Sequence, residues 1–128
     1  MSQSLLEAQH DIIHMIKQGL FVEGMEKYYA DDAVNIEPVG EPRVGKAAII
    51  ANEHEILKQV AAFHGIDVRS VGVGEDDGNG NGVTFAEYKI SVDMKDGSKF
   101  NPDQVQVTRW VGGKAKEIKF YYNPDFEA

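Results

Sequence analysis

The residues with the clearest chemical potential lie in the stretch NIEPVGEPRVG, residues 35–45. Glu37 closes a short run of alternating apolar residues, and Pro38, Val39 and Gly40 follow at once. A carboxylate at the mouth of a rigid turn is either an ordinary turn-flanking acid or a group that the turn aims at something. Glu87, in FAEYKI, is a second candidate if its strand face turns inward. His10 and His14 stand four apart, a spacing that can bind a metal on one helix face, but no third ligand accompanies them and no metal is expected. Asp31-Asp32 reads as turn chemistry between a helix and a strand. The run GEDDGNGNG, residues 74–82, lacks the ligand spacing and closing Glu of a calcium loop, and its acids would repel phosphate. It reads as a mobile hairpin tip.

These groups need elements to hold them. Residues 4–18 place Leu5, Leu6, Ile12, Ile13 and Ile16 near one face at helical spacing, and Gly19 ends the pattern. A second short helix runs over 21–29, and VNIEP reads as a short strand. Residues 46–63 form a third, Ala-rich helix with Ile49, Ile50, Ile56, Leu57 and Val60 available for burial, and His54 and His64 are expected to cap or cover it. Beyond it, 66–75, 83–94, 103–111 and 115–122 are strands rich in Val, Ile, Phe and Tyr. The links between them carry Asp-Gly, Asn-Gly and Gly-Gly pairs, the chemistry of tight hairpins. Helices followed by hairpin-linked strands predict an α+β layout, helices on one face of the sheet, in the order α-α-β-α-β-β-β-β.

Alternation in 103–111 puts Gln104, Gln106 and Thr108 on one face and Val105, Val107 and Arg109 on the other, with Trp110 at the end. The last strand splits into Ile118/Phe120/Tyr122 and Lys119/Tyr121. A face mixing amides, hydroxyls and aromatics suits a partly polar cavity, though periodicity alone leaves it open whether that face is inside or in solvent. Trp110 with Tyr121 is a candidate dimer contact on an outer face.

At 128 residues the chain is expected to be one domain spanning 1–128. It has no cysteine, which excludes disulfides and thiolate chemistry. The start MSQSLLEAQHD has neither the basic nor the apolar region of a signal peptide, and no apolar run is long enough to cross a bilayer. A cytoplasmic location is the expectation. A net charge of −8 with scattered Lys and Arg argues against nucleic acid or an anionic membrane as partner.

The segment YADDAVNIEPVGEPRVGKAAI, residues 29–49, resembles the first half of the NTF2-like superfamily, specifically its SnoaL-like and ketosteroid-isomerase-like branches. The tail RWVGGKAKEIKFYYNP is similar to the closing hairpin of SnoaL-like domains. The resemblance implies a strongly curved mixed sheet wrapped around three helices to make a cone, often paired as a homodimer through the sheet's outer face. It also implies a small, largely apolar organic ligand in an apolar cavity, and no cofactor. In the isomerases the acid before Pro-x-Gly is the base, and Glu37 falls there, one methylene longer than the usual Asp. The oxyanion donors of that family are a Tyr and a protonated Asp; here Ile13 and Gln106 stand in those places, and Ile13 donates nothing. Tyr122 falls on the Trp that flanks the isomerase cavity, and Asn123 takes the commoner Asp position of the SnoaL-type tail.

The catalytic set implied is therefore Glu37, Gln106 and Tyr122, in a lining of Ile13, Asn35, Asn52, Glu87, Gln104 and Phe120. Two functions remain open. One is an isomerase, cyclase or dehydratase working by proton transfer from a carbon acid. The other is a non-catalytic ligand carrier or protein-interaction module on the same fold, in which Glu37 would be locked by an ion pair to Arg43 or Lys46.

Overall fold

A computed structural model describes residues 3–125. In chain order the elements are α1 (Leu5–Lys17), α2 (Phe21–Tyr28), β1 (Tyr29–Ile36), β2 (Arg43–Val44), α3 (Lys46–Lys58), β3 (Val60–Asp76), β4 (Gly82–Met94), β5 (Lys99–Phe100), β6 (Asp103–Val111) and β7 (Lys114–Tyr121). Helix α1 opens on a reciprocal cap: Ser4 Oγ accepts from the Glu7 N–H at 3.1 Å, and Glu7 Oε1 accepts from the Ser4 N–H at 3.0 Å.

The seven strands form one open sheet in the order β2-β1-β7-β6-β4-β3, with β5 added beside β4. Strands β1 and β7 run parallel, and every other pair is antiparallel. The long β3–β4 pair changes register at four places, and each such irregularity bends and twists the ribbon. Side chains on the inner face of the sheet split into two apolar clusters, one joining α1, α2, β1 and β7 around Trp110 and Ile118, the other joining α1 to β4 around Ile13, Tyr88 and Ile90.

Several sequence expectations change. The third helix stops at Lys58, and Val60–Phe63 enter the sheet opposite Val92–Met94. There Phe63 meets Phe21 edge to face, centroids 5.1 Å apart, a contact that outweighs the helix propensity of Ala61 and Ala62. His64 thus lies on a strand and bonds Asp93 at 2.8 Å rather than covering a helix. Asp31 and Asp32 belong to β1, where Asp32 pairs with Lys116. Trp110 is not an outer-face residue. It shares the inner face with Gln104, Gln106 and Thr108, is 2% exposed, and donates its indole N–H to Thr84 Oγ1 at 2.8 Å.

The 74–82 link is anchored at both ends. Asp76 accepts from the Leu5 N–H at 3.1 Å, and the Gly80 carbonyl and Asn81 side chain accept from the Gly113 and Gly112 N–H groups, each at 2.9 Å. Gly80 has φ +87°, and a Cβ there would stand 2.4 Å from the Gly113 nitrogen. Gly80→Ala is expected to lower the unfolding free energy by about 1–3 kcal/mol, read as a reduced urea midpoint at unchanged slope.

Candidate functional site

Ala33 is fully buried, and strand alternation puts Asn35 and then Glu37 on its face. The Gly45 N–H donates to the Ala33 carbonyl at 2.7 Å, which fixes the start of α3 against β1. Glu37 therefore continues the inner face of β1 just beyond the strand. It lines a cleft of about 490 Å³ with Ile36, Pro38, Lys119, Phe120, Tyr121 and Tyr122. Its Oε2 is buried and has no hydrogen-bond partner among the described residues. Burial first, and then the negative charge of Glu53, push its carboxyl up to about 7, against a smaller opposing pull from Arg43.

The ion-pair lock to Arg43 or Lys46 is not formed among the described residues. Lys46 instead donates to the Glu26 carbonyl at 2.8 Å. Tyr122 stands edge to face with Phe100, centroids 6.0 Å apart. Burial and the Glu37 charge push its hydroxyl up to about 12, so it stays a neutral donor. Phe120 is half-buried on the same cleft and packs on the Trp110 cluster.

Gln104 and Gln106 are buried on the inner face of β6. Gln106 Oε1 accepts from the Tyr88 hydroxyl at 3.2 Å, which leaves its amide nitrogen as the donor end. Ile13 packs against Tyr88, 4% exposed, and is apolar lining. Asn35 is half-buried on β1 opposite Arg43 and Ile118, and Asn52 is half-buried on α3.

Glu87 is not part of this site. Thr84, Ala86, Tyr88 and Ile90 take the inner face of β4, so Glu87 points outward, where it accepts from Ser70 Oγ at 3.2 Å. The acid that sequence reasoning missed is Glu53. It follows the buried Ile49 by four residues on α3, so it shares that helix face, and burial raises its carboxyl above the usual range. Ile49 was the available signal. His10 and His14 are exposed on α1, and no cluster of three metal-ligating side chains occurs among the described residues. No described helix is long and apolar enough to cross a membrane.

No protein-family model matches the sequence, and no curated protein matches it. Solved structures do. A candidate SnoaL-like polyketide cyclase, also described as a carbohydrate phosphatase, from Mesorhizobium loti is 26% identical with a TM-score of 0.78, over 94% of this chain and all of that one. A candidate polyketide cyclase from Pseudomonas putida is 16% identical with a TM-score of 0.75, over 97% of this chain and 95% of that one. An NTF2-like protein of unknown function from Burkholderia pseudomallei shares 14% identity with a TM-score of 0.72, over 92% and 89%. The α+β fold of three helices on a mixed seven-stranded sheet is thus the NTF2-like fold. Within that fold the chain is similar to SnoaL-like proteins.

Glu37 carries its own pH signature. Its folded carboxyl binds a proton up to about pH 7 while its ordinary value is 4.5, so the stability linked to that proton is complete below pH 4.5 and lost as pH rises toward 7. Glu37→Gln removes the loss. At pH 8 the variant is expected to be more stable than the parent by about 1–2 kcal/mol, solvent at the cleft mouth trimming the full shift, with little difference at pH 4. Urea unfolding at the two pH values measures it.

Proposed function

We propose that this protein is an enzyme of the isomerase, cyclase or dehydratase type, acting on a small, largely apolar ketone or enone in the cleft. The observation that carries the reading is the unpartnered, buried Oε2 of Glu37 beside an aromatic and apolar lining. A carboxylate with a raised affinity for protons is a stronger base, matched to work near neutral pH. Glu37 removes the proton from the carbon beside the carbonyl, and the electron pair of that bond moves through the enolate to oxygen. The amide of Gln106 or the hydroxyl of Tyr122 donates a hydrogen bond to that oxygen. Glu37 then returns the proton at another carbon. Proton transfers alone complete this cycle, so it calls for no cofactor. The names of the solved cyclases support the reaction class, and so does a structure from Bacillus subtilis named as a candidate isomerase, 18% identical with a TM-score of 0.66.

A ligand carrier on the same fold is the second reading, favoured by Ile13, which supplies no donor where the isomerases have one. Exchange of carbon-bound hydrogen for deuterium in a panel of cyclic enones and polyketide-like ketones separates the two. The enzyme reading expects enzyme-dependent exchange that falls at least about 100-fold in Glu37→Gln with ligand affinity retained. Binding without exchange in the parent protein would favour the carrier.

The same proposal includes a homodimer through the outer sheet face. Phe85, Val105, Val107 and Tyr121 lie across neighbouring strands there, and Phe85 and Tyr121 are 37% and 50% exposed. Phe85→Lys is expected to shift a dimer to monomer in sedimentation velocity, and a parent that sediments as a monomer would remove the dimer.

A further inference from the structure

We propose that a gap between β1 and β7 binds a small oxyanion, a carboxylate or a phosphate group, between the ammonium groups of Lys46 and Lys114. The site shares no lining residue with the cleft of Glu37. Strands β1 and β7 pair at Tyr29 with Ala115 and next at Val34 with Glu117, so Ala30, Asp31, Asp32 and Ala33 stand opposite Lys116 alone. A bulge of this kind breaks the ladder and bends the strand that carries it. A cavity of about 390 Å³ lies there, and its walls include Ala30, Asp31, Asp32, Lys46, Lys114 and Lys116. Lys114 and Lys116 alternate with the fully buried Ala115, which puts both on the side of β7 away from the core.

The lysines come from distant parts of a chain whose net charge is −8, and the fold gathers them. Lys46 donates to the Glu26 carbonyl at 2.8 Å, and Lys114 donates to the Lys27 carbonyl at 3.0 Å. Those carbonyls are consecutive in the last turn of α2, where helical carbonyls lack a partner along the helix. The two contacts therefore hold both ammonium groups at one helix end. A carbonyl caps a lysine without neutralising it, and each ammonium keeps two further N–H donors. Neither Lys46 nor Lys114 forms an ion pair among the described residues, and the first turn of α3 carries no acid. Lys116 is different, because Asp32 already pairs with it.

Capping the end of α2 accounts for one donor of each lysine. It leaves two like charges beside an open cavity, and an oxyanion that accepts from both would relieve their repulsion. The exposed Asp31 limits what can enter. Its charge opposes an extended polyanion, whereas a compact anionic head can sit on the lysine side. Val111, on the same cavity and 58% exposed, offers contact to a short apolar body.

The test titrates the full-length protein, labelled with nitrogen-15, with inorganic phosphate and separately with benzoate, at fixed ionic strength. Saturable amide shifts confined to residues 29–32, 46 and 111–116 are expected with at least one of the two. Saturation by phosphate alone assigns a phosphate group as the ligand head, and saturation by benzoate alone assigns a carboxylate. Lys114→Gln is expected to weaken binding about tenfold, and Asp31→Asn to tighten it about twofold or more. Lys89→Gln makes the same charge change at an exposed site on β4 and is expected to leave the affinity unchanged. Should Lys114→Gln fail to fold, the Asp31→Asn and Lys89→Gln arms still decide. No saturation by either anion in the parent, or equal weakening by Lys89→Gln and Lys114→Gln, overturns the site and leaves the two lysines as helix caps.

Discussion

A buried chain of two hydrogen bonds sets the frame for everything else in the molecule. Trp110 on β6 donates to Thr84 on β4 at 2.8 Å, and the Thr84 hydroxyl donates onward to Gln9 on α1 at 2.7 Å. All three side chains are essentially without solvent, so each broken link would leave a polar group bare at a cost of about 1–3 kcal/mol. Apolar packing alone would let α1 slide or rotate on the sheet. The polar chain gives one position in which both links are made, and it lies on the same inner face as Tyr88, Gln104 and Gln106. The two apolar clusters then fill the space on either side of it.

With α1 fixed, the inner face becomes a gradient. Toward the Trp110 end it is closed by aromatic and aliphatic side chains, and toward the other it opens through Tyr122 and Phe120 to the cleft that Glu37 lines. Polar groups occur along the whole face but are treated differently. Thr84 and Gln106 are engaged with neighbours, whereas the oxygen of Glu37 has none among the described residues. A buried carboxyl left without a partner destabilises the fold when it ionises. Its retention here sets the demands of chemistry against those of stability, a conflict typical of functional sites.

Much of this was legible in the sequence, and the failures have physical causes. The order of the helices and the longer strands and the bounds of β6 followed from periodicity and turn residues, whereas the two-residue strands β2 and β5 gave no signal and the inward turn of Glu37 was implied only by the family resemblance. Alternation says which residues share a face but not which face is inside. Glu87 shares its face with Phe85, whose apolar ring gave no warning that this side is the outer one; inside, the small Thr84 and Ala86 make room for α1. Trp110 was misplaced because an aromatic at a strand end looks the same at an interface or in a core until its N–H partner is known. Glu53 was passed over because a charged residue on a helix is usually solvated; only its spacing from Ile49 betrays it. The third helix was drawn too long because its alanines favour helix, while the pairing with β4 that claims Val60–Phe63 lies some thirty residues away in sequence.

The parallel pairing of β1 with β7 has a consequence for how the molecule is made. Residues 29–36 and 114–121 are near opposite ends of the chain, yet they lie side by side at the junction between the β2-β1 edge and the rest of the sheet. During synthesis, the edge of the early strand that meets β7 must wait unmet until residues 114–121 have left the ribosome. Local hairpins such as β3–β4 can close long before that. The cleft borders this same seam, so its two walls come together only with the last strand, and a chain cut short before residue 114 would carry Glu37 on a ribbon with no sheet to join.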